Sequence, residues 1–160
     1  GGFTDLLLQR GAARVHAIDV GYGQLHPRLR GDPRVVVHER VNARHLRAGS
    51  LGEDVDLVVA DLSFISLRLV LPAVRALLRP GGRAVLLVKP QFEVGKGQVG
   101  KGGIVRDEER RSRAVASLAE FSRGAGFRVM GQLESPVRGS KGNVEFLLYL
   151  QLDPDLSSRP

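Results

Sequence analysis

Three side chains of this 160-residue chain have the types and positions needed for proton transfer: Asp61, Lys89 and Glu145. Asp61 closes the apolar run Val55–Ala60. Lys89 follows Val85-Leu86-Leu87-Val88 directly and precedes Pro90. Short apolar runs of this kind read as buried strands, so both charges stand at strand carboxyl ends, where open parallel sheets bind their ligands. Glu145 falls in a last predicted strand, after Gly142-Asn143. An acid, an amine and a second acid brought together by strand ends can hold and move a proton. Taken singly, each reads more readily as a surface charge. Lys89, fixed between an apolar strand and a proline, is the strongest of the three.

Other residues suggest binding rather than chemistry. Asp19 ends another predicted strand and is followed by Gly21-Tyr22-Gly23. A carboxylate there can accept hydrogen bonds from the two hydroxyls of a cofactor ribose. A plain turn-forming aspartate is the alternative. The run from Gly95 to Gly102 nearly spells a phosphate-binding loop, but Gly102 stands where a Ser or Thr would bind magnesium, and Asp107 intervenes before the next helix. It reads better as a lid carrying Lys96 and Lys101 toward a polyanion backbone, with Lys141 in a second loop.

Composition narrows the field. The chain carries a net charge of +7 and a pI near 10.7, which suits a polyanionic partner, nucleic acid above all, and on charge alone equally a merely arginine-rich surface. Only Lys89, Lys96, Lys101 and Lys141 are lysines among 24 basic residues. Arginine stays protonated, so lysine belongs where a removable proton matters. Without cysteine there are no disulfides, thiolate metal sites or thiol nucleophiles. His16, His26, His38 and His45 show no ligand spacing and read as surface or strand-end residues, so no metal is expected. No apolar run approaches the ~18 residues of a membrane span, and no signal peptide is recognisable, which makes the cytoplasm the default compartment.

The elements that must position these groups alternate. Strands are predicted over 14–18, 34–38, 55–60 and 83–88, separated by helical segments at 6–10, 24–30, 42–47 and 67–78. A glycine-rich loop over 91–105 leads to a charged helix over 108–122, then to strands 127–134 and 144–150 around a turn-rich segment, 136–143. This order predicts a doubly wound α/β fold covered on both faces, mostly parallel, with an antiparallel last strand. The first strand of such a plan is missing, because the chain opens inside the turn that should follow it; a single domain over 1–152 and a polar tail over 153–160 are expected.

Five motifs together carry a resemblance: Gly1-Gly2-Phe3-Thr4-Asp5, Asp19-Val20-Gly21-Tyr22-Gly23-Gln24-Leu25, Ala60-Asp61-Leu62-Ser63-Phe64-Ile65-Ser66, Val88-Lys89-Pro90-Gln91-Phe92-Glu93 and Val99-Gly100-Lys101-Gly102-Gly103. In this order they resemble the TlyA, or hemolysin A-like, family with its FtsJ-like methyltransferase domain, over nearly all of residues 1–150. The resemblance implies a Rossmann-like class I methyltransferase fold, S-adenosyl-L-methionine as cofactor, and ribosomal RNA or ribosomal subunits as partner, methylated on ribose 2′-hydroxyls. It makes Asp61, Lys89 and Glu145 the last three members of a Lys-Asp-Lys-Glu catalytic tetrad, whose first lysine lies upstream in relatives, as does an S4-like RNA-binding domain. Gly1, Gly2, Asp19, Val20, Asn42 and Asp61 would hold the cofactor, and Lys96, Lys101 and Lys141 would meet RNA.

Absent residues agree with a ribose acceptor. No cysteine is available for pyrimidine C5 chemistry, and Ala60-Asp61-Leu62-Ser63 replaces the Asn-Pro-Pro-Tyr type motif of exocyclic amine methylation. Three rival readings remain: an RNA-binding module without chemistry, a small-molecule O-methyltransferase, and a membrane-active hemolysin. The basic balance disfavours the second. The third needs an amphipathic or spanning element, and the 108–122 helix alternates its charges too evenly to be one.

Overall fold

In the computed structural model the described residues are 1–95 and 97–155. The expected contact of Lys96, and the tail beyond 155, lie outside them. Six strands form two sheets. β1 (Val15–Asp19) and β2 (Val35–Glu39) pair in parallel. β3 (Val55–Ala60), β4 (Leu78–Val88), β5 (Phe127–Glu134) and β6 (Phe146–Leu152) form a second sheet in the order β3-β4-β6-β5. β3 and β4 are parallel, and β6 runs antiparallel to both β4 and β5, so β6 alone opposes the direction of the other three. The reversed last strand is as expected. No ladder joins β1 to β3 among the described residues, so the strands stand in two sheets.

The core lies on one face of the larger sheet. Helix α3 (Leu71–Leu77) and helix α5 (Glu108–Gly124) pack there against Ala84, Leu86 and Val88 of β4 and Leu148 and Leu150 of β6. Leu71, Leu86, Leu118, Leu148 and Leu150 are fully buried, each contributing roughly 1.5–3 kcal/mol of transfer free energy. In α5 the buried residues Ala114, Val115, Leu118, Ala119 and Ser122 recur at helical spacing, and the Ser122 hydroxyl is satisfied by donating to the Leu118 carbonyl. Asp107 caps this helix by accepting from the Arg110 amide.

Coverage of both faces is not what the structure shows. Strand residues alternate sides, and the opposite side carries Val59, Val85, Leu87, Leu147 and Tyr149, all half-buried, with Leu57 and Leu133 exposed. Helix α1 (Gly2–Gln9) and the short helix α2 (Pro27–Arg30) pack on the small sheet, burying Val15 with Leu8 and Leu29.

Several boundaries also differ from expectation, for local reasons. The predicted helix over 24–30 shrinks to α2 because Pro27 has no amide to donate and so begins it. The predicted helix over 67–78 divides into a 3₁₀ turn, Leu67–Leu69, and α3, with Pro72 in the first turn of the second piece. β4 starts early, at Leu78 opposite Val55, and resumes its pairing at Arg83 opposite Leu57, with Arg79 to Gly82 looped out between them. The loop over 91–105 is preceded by a turn of helix, α4 (Pro90–Glu93). His16 and His38 are not isolated surface groups. Their rings stack and bond, Nδ1 to Nε2 at 3.0 Å, and His16 Nε2 reaches Glu53 at 3.0 Å, tying β1 to the loop that enters β3.

Candidate active site

The chemistry-bearing residues gather around one cavity of about 460 Å³ beyond the carboxyl ends of β3 and β4. Asp61 is the residue after β3, and Lys89 is the residue after β4, at the entry to α4. Lys89 Nζ lies 2.6 Å from Asp61 Oδ1 and 3.0 Å from Ser63 Oγ. The amine is largely buried, at 12% side-chain exposure, whereas Asp61 is about half open at 52%. The apolar stem of Lys89 thus leaves the core with its head fixed at the cavity wall.

Glu145 lines the same cavity and is buried. It does not belong to the final strand, as expected, but to the loop just before it, because β6 begins at Phe146. Asn143 sets that loop. Its buried side chain accepts from the Val105 amide at 3.2 Å and donates to the Gly103 carbonyl at 2.9 Å, while its own carbonyl accepts from the Gly139 amide at 2.8 Å. Burial pushes the Glu145 carboxyl above the usual range; Lys89 opposes that shift and Asp61 adds to it. Glu145 closes no ion pair with Lys89 and acts on it through the field across the cavity.

The rim is aromatic on one side and glycine-rich on the other. Phe64 is 90% exposed and sits at φ 64°, a region that bulky side chains occupy only under constraint. Its ring leans on Phe92 with centroids 5.3 Å apart. Across the cavity lies the lid, in which Gly100 and Ile104 form an antiparallel bridge. Lys141 lines the cavity at φ 59°. Lys101 is exposed on the lid and does not line the cavity.

Of the expected cofactor residues, Asp61 lines this cavity, whereas Gly1, Gly2, Asp19, Val20 and Asn42 do not and belong to the small sheet and the segments around it. Asp19 ends β1, exposed, and its Oδ1 accepts from the Gly21 amide at 2.7 Å. Glu39, opposite it in the ladder, is held by the Gly23 amide and by Arg30, which keep its carboxyl below the usual range. Val20 is 71% exposed. Gly1 caps α1 and Gly2 begins it; a Cβ on Gly1 would meet the Leu29 side chain at 2.8 Å and would require that methyl to shift. Asn42 caps the 3₁₀ turn Ala43–His45, with Oδ1 accepting from the Arg44 amide. An exposed acid at the end of β1 and a helix that starts on glycine suit a ribose and a carboxylate, groups that S-adenosylmethionine presents.

A family profile described as FtsJ-like methyltransferase matches residues 1–152. The chain belongs to the FtsJ-like methyltransferase family. It is 56% identical over 155 residues to the 16S/23S rRNA (cytidine-2′-O)-methyltransferase TlyA of Mycobacterium tuberculosis strain H37Rv, covering 97% of this chain and 58% of that one. It is 48% identical to Bacillus subtilis YqxC, a protein named for rRNA methyltransferase activity, over 94% of this chain and 54% of that one. A solved Streptococcus thermophilus structure, designated a hemolysin, superposes with a TM-score of 0.93 at 43% identity, over 96% of this chain and 56% of that one. The chain spans a little over half the length of these relatives.

Within this FtsJ-like domain, sequence reasoning brought Asp61, Lys89 and Glu145 to one place. It did not single out Ser63, Phe64, Glu93, Gly139 or Asn143 for a role. Ser63, Phe64 and Glu93 lay inside motifs whose other members drew the attention. Gly139 and Asn143 offered no periodic signal at all.

Proposed function

We propose that the chain is the catalytic core of an S-adenosylmethionine-dependent methyltransferase acting on ribose 2′-hydroxyls of ribosomal RNA. One observation carries this reading: Lys89 Nζ is held by Asp61 Oδ1 at 2.6 Å and Ser63 Oγ at 3.0 Å at the wall of a cavity that also contains Glu145. Bound near Asp19 and Gly1-Gly2, S-adenosylmethionine would supply an electrophilic methyl group. A ribose hydroxyl is a poor nucleophile and must lose its proton as the new bond forms. Lys89 Nζ, in its neutral amine form, is the group placed to receive that proton. Asp61, Ser63 and the field of Glu145 stabilise the ammonium that results, an electrostatic contribution that grows as charge develops.

The exposed Phe64 ring fits the same reading. A nucleotide presenting its ribose to Lys89 carries a base beside it, and an aromatic face at the cavity rim offers that base a stacking surface. The basic lid and Lys141 suit its phosphates. Cytidine, the nucleoside in the name of the M. tuberculosis relative, is the first to test.

The experiment is transfer of labelled methyl to ribosomal subunits by the full-length protein, with nucleoside mass spectrometry to locate the label. Label on ribose, with a loss of about 100-fold or more in Lys89→Ala and unchanged cofactor affinity, is expected. Label on a base, or full activity in Lys89→Ala, overturns the reading. Cofactor binding without any transfer would favour the RNA-binding module.

A further inference from the structure

We propose that Glu93 is a positioning residue that clasps the loop bearing Asp61 and Ser63 to the turn following Lys89, and so sets the contact between amine and carboxylate. The proposal rests on the reading of that pair given above. Glu93 is the last residue of α4, four positions beyond Lys89. One of its oxygens accepts from the Leu67 amide at 2.7 Å and the other from the Ser66 hydroxyl at 2.8 Å. Both partners sit at the far end of the loop that starts with Asp61.

That loop is therefore held at two points. Lys89 holds its beginning through Asp61 and Ser63, and Glu93 holds its end through Ser66 and Leu67. Between the two anchors lies Phe64 at φ 64°, a conformation that persists only where its surroundings over-determine it. The Phe64 ring rests on Phe92, the immediate neighbour of Glu93, so ring contact and clasp reinforce each other. Release the far anchor, and Phe64 can relax toward ordinary dihedrals. Its chain neighbour Ser63, and Asp61 two residues earlier, must then move relative to Lys89.

Capping the 3₁₀ turn accounts for only one of the two Glu93 bonds. Ser66 caps the Arg68 amide at 3.2 Å and Glu93 the Leu67 amide, but the Ser66 proton also goes to Glu93, a bond that no cap requires. Glu93 is a half-buried carboxylate whose carboxyl burial raises, against the opposing pull of the Leu67 amide, the Ser66 hydroxyl and Arg68. Burying a carboxylate is costly unless its hydrogen bonds return something, and here they join segments 26 and 27 residues apart.

The test compares Glu93→Gln, Glu93→Ala and Ser66→Ala in the full-length protein. Three quantities are read: cofactor affinity by calorimetry, single-turnover methyl transfer against RNA concentration, and the Leu67 amide proton shift by NMR. Glu93→Ala is expected to slow turnover by about 10- to 100-fold, as a misplacement near 1 Å does, with cofactor affinity unchanged within about threefold. Glu93→Gln keeps an oxygen for the Leu67 amide and is expected to restore most of the rate and of the amide shift. Ser66→Ala, which leaves the carboxylate in place, should fall between them and provides the answer should Glu93→Ala fail to fold.

Turnover within about threefold of wild type in Glu93→Ala, or in Ser66→Ala where only that variant folds, overturns the proposal. So does a glutamine variant as slow as alanine, or a defect confined to cofactor affinity. Failure of the methyltransferase reading looks different. There the wild type transfers nothing, or Lys89→Ala stays active, while the Leu67 amide shift still reports on the clasp.

Discussion

Gly139→Ala isolates the contribution of Glu145 from that of the fold around it. Gly139 has φ −73° and ψ −175°, extended backbone that alanine adopts without strain. The nearest obstacle is the Glu145 side chain. A Cβ on Gly139 would overlap Oε1, lie 2.5 Å from Cδ and 3.2 Å from Cγ. Restoring ordinary contact requires the carboxyl carbon to retreat by about 1 Å. Because the carboxylate is the free end of a side chain, it can swing away without moving the backbone, so the melting temperature should change by no more than about 2 °C. The field across the cavity at Lys89 changes with it, and a displacement of this size in a positioned site costs about 10- to 100-fold in rate. Methyl transfer to ribosomal subunits, measured beside a thermal melt and a cofactor titration, separates these quantities. A Gly139→Ala protein that transfers methyl at the wild-type rate, with Glu145 shown displaced, would remove Glu145 from the chemistry. A large loss of stability would instead mean that the loop, not the carboxylate, had been disturbed.

Three further outcomes follow from the same geometry. Asp19→Ala should weaken S-adenosylmethionine by about tenfold or more, the worth of roughly 1.4 kcal/mol or above in lost charged hydrogen bonds, and a dissociation constant changed less than about twofold would place the ribose elsewhere. Glu145 has its carboxyl raised by burial, so the native state holds that proton more tightly than the unfolded chain, and stability falls as pH rises from the ordinary carboxylate value through the raised one. Glu145→Gln should therefore melt higher than wild type at pH 7, with no such gain near pH 4. An equal shift at both pH values contradicts the assignment. Phe64→Gly removes a ring and a strained backbone together, so it should raise stability by about 1 kcal/mol while weakening RNA binding by about 1–3 kcal/mol, with cofactor affinity intact. Undiminished RNA affinity by filter binding would deny the ring its stacking role.

The outline of the fold was legible because hydrophobic pattern dictates it. Val55–Ala60 and Phe127–Glu134 form strands over the residues their sequences indicate. The apolar run before Lys89, stopped by Pro90, was enough to place an amine at a strand end. What escaped has a different physical origin. Glu93, Ser66, Asn143 and Val105 act through single hydrogen bonds between segments 26 to 38 residues apart, and such bonds leave no period in a sequence. Gly139 has an ordinary φ, so not even the usual reason for a glycine announces it; its missing Cβ matters only because Glu145 occupies that space. The two kinds of residue also differ in what their loss should cost. Strand-end position comes from core packing, where a truncation such as Leu148→Ala costs about 2–5 kcal/mol and is felt by the whole domain. Placement of Asp61 and Glu145 to within about 1 Å comes from polar ties and a glycine at the cavity edge, where the same displacement costs rate rather than stability. Substitutions at Glu93 and Gly139 should accordingly yield folded, cofactor-binding and slow protein, the combination that a stability screen passes over.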